Sequence, residues 1–139
     1  MNIPYQFWSE AKVGQLNFDS VLIIDTMGEL QNFYLSADLT FVGGSLVPIG
    51  GHDPAEPAAL GKPVLFGPFM ENAKQAATLL LRSGGAEMIE NGNTLYESLS
   101  RAVNNRAGLA AKGNKCRDAI LSVSGVSKKI AKILSGDVS

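Results

Sequence analysis

Residues 41–68 read FVGGSLVPIGGHDPAEPAALGKPVLFGP, and this stretch decides the fold. An apolar run from Leu39 to Val42 stops at Gly43-Gly44-Ser45. Gly50-Gly51, His52 and Asp53 follow, then Pro54. From Ala55 to Leu60 the sequence has helical character, Gly61-Lys62-Pro63 ends it, and Val64 to Phe66 opens another apolar run. The order is strand, glycine loop, helix, strand, with the glycines and polar residues gathered at one end. Glycines there permit positive φ and a close backbone approach to a ligand. The N–H groups opening the Pro54–Leu60 helix are expected to face the same place and to favour an anion. Such an arrangement points to a phosphorylated ligand at the carboxyl ends of parallel strands.

Two carboxylates sharpen this expectation. Asp53 precedes Pro54, so it can cap the helix while proline takes the first helical position. Glu56 falls in the first helical turn, where its carboxylate can accept bonds from the two hydroxyls of a ribose diol. The plainer alternative is that both acids only cap the helix and complement its dipole.

Outward from this stretch, strands and helices alternate. Val21 to Asp25 reads as a strand buried on both faces. Asp25-Thr26-Met27-Gly28 then leads into a helix over 29–36, with Leu30, Phe33, Tyr34 and Ala37 at three- and four-residue spacing. Residues 4–12 contain Tyr5, Phe7 and Trp8, read as a short edge segment packing on the core. Residues 71–83 form an amphipathic helix stopped by Gly84-Gly85. Ala86 to Ile89 is a short strand, Asn91-Gly92-Asn93 a turn, and Thr94 caps a helix reaching about Asn104. A helical pattern over 106–122 is interrupted by Gly113, and residues 126–134 read as a last amphipathic helix. The alternation predicts a parallel α/β sheet of four or five strands with helices on both faces. The whole is read as one domain over 1–139, with residues 105–139 a helical tail packing on it.

Composition narrows the function. A chain of 139 residues suits one domain with a real core. No apolar run approaches the roughly 20 residues of a membrane span. The opening MNIPYQFWSE lacks the basic flank and apolar stretch of a secretory leader, so a soluble chain is expected. The single cysteine, Cys116, forms no internal disulfide and reads as an inert helical residue. Residues 1–100 carry four Lys and Arg against eleven carboxylates, a net −7, whereas residues 101–139 carry eight against two, a net +6. The basic tail can be neutralised within the chain, the favoured reading, or make peripheral contact with an anionic membrane. The aromatics are not interleaved with the basic residues, so nucleic acid is not an expected partner. His52 is the only histidine, and no nucleophile or ligand partner stands at a recognisable spacing. Neither a metal site nor a cofactor is expected.

Several short motifs in register carry a resemblance to a known family. Gly43-Gly44-Ser45-Leu46, Gly50-Gly51-His52, Glu56-Pro57-Ala58 and Pro63-Val64-Leu65-Phe66-Gly67-Pro68 resemble the signature of bacterial Kdo transferases. The upstream Asp25-Thr26-Met27-Gly28-Glu29-Leu30, Tyr34 and Ala37-Asp38 match in order and spacing, and the likeness runs from about residue 5 to about residue 105. These enzymes move 3-deoxy-D-manno-octulosonic acid (Kdo) from its CMP ester onto lipid A precursors. The resemblance implies the C-terminal, Rossmann-like half of a two-domain GT-B glycosyltransferase, inverting and metal-independent, on the cytoplasmic face of the inner membrane.

The resemblance also implies roles for particular residues. Met27, Gly28 and Glu29 would touch the nucleotide through their main chain. Gly43, Gly44 and Ser45 would lie against the phosphate or sugar acid, Gly50 and Gly51 would let the backbone approach, and His52 would contact the same anion. Glu56 would hold the ribose, and Asn72 would position the sugar or fix the loop. Asp53 stands where the family usually has asparagine, so a donor has become an acceptor. The catalytic base and the acceptor site belong to the N-terminal half, so this chain is expected to bind the donor without catalysing transfer alone. The alternatives are a GT-B transferase or epimerase using a UDP-sugar, and a non-enzymatic nucleotide-binding module.

Overall fold

The computed structural model describes residues 1–123 together with Lys132, Ser135 and Gly136. The helix expected over 126–134 lies outside the described residues, Lys132 excepted. The chain divides into two compact units, residues 1–33 and residues 34 onward.

The first unit contains β1 (Tyr5–Phe7), α1 (Trp8–Ala11) and β2 (Val21–Ile23). A further helix, α2 (Leu30–Ser36), carries the chain on into the second unit. β1 and β2 pair in parallel, with Tyr5 opposite Val21 and Phe7 opposite Ile23. The burial expected for β2 is not found: Val21 and Ile23 are 52% and 38% exposed, and their partners Tyr5 and Phe7 are exposed as well. These four side chains share one face, since alternate residues of a strand point the same way. A two-stranded ribbon with a four-residue helix has too little cover for both faces. Tyr5 and Phe7 therefore form a strand edge and do not pack on a core, contrary to the sequence reading.

The second unit holds β3 (Thr40–Phe41), α3 (Ala55–Ala59), β4 (Val64–Phe66), a 3-10 turn (Glu71–Ala73), α4 (Lys74–Ser83), β5 (Ala86–Met88), α5 (Gly92–Asn104) and α6 (Arg106–Leu121). Its sheet has the order β3-β4-β5, every pair parallel, with Phe41 opposite Leu65 and Leu65 opposite Glu87. The expected four- or five-stranded sheet is thus divided into a parallel pair and a parallel triplet. The central strand β4 is buried throughout. Val64 and Phe66 join Ala58, Leu80, Cys116 and Ile120 in the core on the side of α3, α4 and α6. Each large side chain buried there contributes about 1.5–3 kcal/mol. On the opposite side Glu87 accepts a hydrogen bond from Ser98 of α5 at 2.7 Å and pairs with Arg101 at 2.5 Å.

Local signals set the element ends. Gly84 closes α4 in the left-handed conformation, φ 78°. α5 starts earlier than expected: Asn91 is the cap, accepting the Thr94 N–H, and Thr94 Oγ1 reaches back to accept the Asn91 N–H, each at 3.0 Å. Asn91 and Thr94 make a reciprocal capping box, so residues 91–93 are not a separate turn. Gly113 does not interrupt α6. It is buried inside a continuous helix, and a side chain there would meet the Gly61 carbonyl and the Pro63 ring. The glycine marks a close approach of two backbones, which looks like a break in a linear pattern. Burial pushes the Cys116 thiol up to about 11, consistent with an inert residue.

Candidate functional site

In the second unit, β3 runs into the glycine loop, which closes on itself through its main chain. The Gly51 N–H donates to the Gly44 carbonyl at 3.0 Å, and the His52 N–H to the Gly43 carbonyl at 3.2 Å. Gly44, Gly50 and Gly51 have φ of 69°, 98° and 70°, a region closed to most side-chain-bearing residues. The two glycine corners are therefore adjacent, as their chemistry required.

Ser45 fastens this loop from beneath. It is fully buried, its hydroxyl donating to the Val42 carbonyl at 2.6 Å and accepting the Gly67 N–H at 2.8 Å. Its carbonyl accepts the Phe69 N–H at 3.0 Å. The end of β3 is thereby tied to the end of β4. The side chain of Ser45 thus fastens the loop that the resemblance sets against the phosphate or sugar acid. Asn72 ties the other corner, its N–H donating to the Gly50 carbonyl at 3.1 Å and its Nδ2 lying 3.4 Å from the Ile49 carbonyl.

The mouth of α3 differs from the sequence reading. Pro54, and not Asp53, stands at the N-cap, with Ala55 the first helical residue; Asp53 lies one residue further out, its Oδ1 accepting the Ala55 N–H at 2.8 Å. Residues 54 and 57 are prolines without N–H groups, so of the opening turn little is left to bind an anion. The glycine corners, and not the helix end, supply the backbone surface at this place.

A cavity of about 820 Å³ opens beside the loop, lined by Gly51, His52, Asp53, Ala55, Asn72 and the start of α4 with Lys74. Four of the residues singled out in the sequence meet on its wall, and Gly43 and Gly44 are bonded directly behind it. Glu56 is half-buried and does not line this cavity. Burial raises the pKa of Tyr34, and the charges of Glu56 and Asp53 raise it further, so the three groups stand near one another. Sequence reasoning did not assign Tyr34 or Lys74 to the site. The signal available was their placement, one on the helix after β2 and the other two residues beyond Asn72. Among the described residues no group of three His, Cys, Asp or Glu converges as a metal-ligand set.

The first unit carries the second turn picked out in the sequence. Gly28 has φ 80°, and Met27 is exposed. Glu29 accepts the Trp8 Nε1–H at 3.0 Å and the Thr26 hydroxyl, and pairs with Lys12 at 3.6 Å. Asp25 accepts from the Ser9 N–H and hydroxyl at 2.9 and 2.6 Å. Hydrogen bonding from Thr26 and Trp8 holds the Glu29 carboxyl below its ordinary range, and Ser9 does the same for Asp25. The Glu29 side chain is thus occupied by protein partners, which leaves main chain for a ligand.

No family model matches the chain. It is 33% identical over 107 residues to the 3-deoxy-D-manno-octulosonic acid transferase of Chlamydia pneumoniae, covering 76% of this chain and 24% of that protein. With the enzyme of the same name from Haemophilus influenzae it shares 30% identity over 115 residues, 82% of this chain and 27% of that protein. The chain therefore spans about a quarter of the length of the curated relatives it matches. The crystal structure of the C-terminal CMP-Kdo binding domain of WaaA from Acinetobacter baumannii superposes with a TM-score of 0.70 at 23% identity. That match covers 82% of this chain and 61% of the other, and it fixes the fold as α/β. By sequence, this chain is similar to about a quarter of the length of bacterial 3-deoxy-D-manno-octulosonic acid transferases, and by fold it is similar to the C-terminal domain of the Acinetobacter baumannii protein.

Proposed function

We propose that this chain binds CMP-Kdo, as the donor-binding part of a transferase that passes Kdo to a lipid A precursor. The observation that carries the reading is the laced pair of glycine corners, Gly43-Gly44 against Gly51-His52, beside a cavity that also takes in Asp53 and Asn72. In this reading Gly43, Gly44, Gly50 and Gly51 let the backbone reach the phosphate, with Ser45 as the strap beneath them. His52 contacts the same anion, Asn72 holds the loop and the sugar side, and Glu56 receives the ribose hydroxyls. Asp53 holds the Ala55 N–H and, as an acceptor, adds no attraction for an anion.

Transfer by displacement needs the leaving phosphate stabilised and the acceptor hydroxyl deprotonated. The residues here serve the first need only, so this chain alone binds and does not catalyse. In the whole enzyme we place the reaction, inverting and free of metal, at the cytoplasmic face of the inner membrane. Among the described residues no helix is long and apolar enough to cross a membrane. The uncovered face of Tyr5, Phe7, Val21 and Ile23 supports a transferase part over a self-sufficient binding module, which would leave no such sheet face bare.

Titration with CMP and with UDP, followed by the amide shifts of Gly44, Gly51 and Glu56, tests the reading. Saturable shifts with CMP at lower concentration than with UDP are expected. A preference for UDP would transfer the chain to the UDP-sugar enzymes, and no shift with either would remove the nucleotide site.

A further inference from the structure

Lys74 opens α4 on the wall of the cavity that holds Gly51, His52, Asp53 and Asn72. It is the one lysine or arginine on that wall, which also carries the carboxylates of Asp53 and Glu71. Two of the other polar groups there have work within the fold: Asp53 accepts the Ala55 N–H, and Asn72 holds the Ile49-Gly50 corner. The Lys74 side chain is exposed, and its ammonium makes no ion pair or hydrogen bond among the described residues. A cavity with two carboxylates repels an anion unless a cation offsets them, and a flexible ammonium on the rim can do so without restructuring the loop.

We infer that Lys74 holds an anionic group of the ligand and so selects acidic nucleotide sugars. The inference rests on the CMP-Kdo reading above. That ligand carries two anions, the phosphate and the sugar carboxylate, and either supplies the oxygens an ammonium needs. Lys74 acts by contact with the ligand. Its removal should change affinity and leave the fold intact.

The test measures binding of cytidine, CMP and CMP-Kdo by the full chain with Lys74 unchanged, Lys74→Gln and Lys74→Arg. Arg82→Gln, on the same helix but away from this cavity, is the control for overall charge. Lys74→Gln should weaken CMP about tenfold if it meets the phosphate, as expected for one charge-assisted contact, and should flatten the salt dependence. If it meets the sugar carboxylate, the loss is confined to CMP-Kdo. Lys74→Arg should retain most of the affinity, Arg82→Gln all of it, and cytidine should be indifferent. Unchanged binding of both CMP and CMP-Kdo by a folded Lys74→Gln overturns the inference and leaves the donor site standing. A parent chain that binds neither ligand overturns the donor site, and the role of Lys74 with it.

Discussion

Two βα turns of this molecule solve the same problem by different means. The turn after β2, in the first unit, carries a left-handed Gly28 and is held by side chains, with Glu29 gripped by Trp8, Thr26 and Lys12. The loop after β3, in the second unit, carries left-handed Gly44, Gly50 and Gly51 and is held by main-chain bonds, with one buried serine beneath. Both expose backbone near a glycine. The first depends on charge and on long side chains at the surface, and so should respond to pH. The second depends on the absence of Cβ atoms and on a hydroxyl sealed from water, and so should respond to volume.

The strongest way to break the comparison is Gly67→Ala. A Cβ at this position would collide with the Ser45 carbonyl and stand 2.8 Å from the Leu46 nitrogen, backbone that cannot rotate away. A loss of about 3 kcal/mol of stability is expected in urea unfolding, with the amide signals of Gly44 and Gly51 displaced. Next comes Ser45→Ala, which leaves the Gly67 N–H and the Val42 carbonyl buried without this partner. A loss of about 2 kcal/mol is expected, and a weaker response of the loop to CMP. Wild-type stability in either variant would show that the loop is not held as described.

Glu29→Gln addresses the other turn. The amide keeps the shape and an acceptor but loses the charge facing Lys12. Signals of Trp8 Nε1 and Gly28 should shift while the melting midpoint hardly moves, because the carboxylate lies at the surface. The smallest effect is that of pH. Asp25 and Glu29 have pKa values lowered below 3.8 and 4.5, so their contribution is complete above those values and is lost as pH falls through the lowered ones. In acid, the Ser9 and Trp8 Nε1 protons should lose their hydrogen-bonded shifts before Gly51 and His52, whose acceptors are carbonyls that do not titrate. Simultaneous loss in both turns would erase the distinction.

The glycine loop was legible because its signals are local. Gly43-Gly44 and Gly50-Gly51 each state a backbone need that no other context supplies so directly. The same holds for parallel pairing, read from alternating apolar runs and helices. Where the reading failed, the deciding contact was distant in the chain. Gly113 reads as an interruption until the Gly61 carbonyl is seen against it, and nothing local shows Ser45 tying β3 to β4 until the Gly67 N–H is found on its oxygen. The prolines flanking Glu56 were visible from the start, but their effect on the helix mouth needed the Asp53–Ala55 bond to be weighed.

Sequence alone thus determined the order of strands and helices from β3 to α6, the position of the glycine corners and the family resemblance. Those follow from φ preferences, periodicity and short motifs, each a property of neighbours along the chain. Tertiary structure decided the exposure of β2, the inward turn of Ser45 and the presence of Lys74 on the cavity wall. These depend on which surfaces meet across tens of residues, and no local preference carries that information.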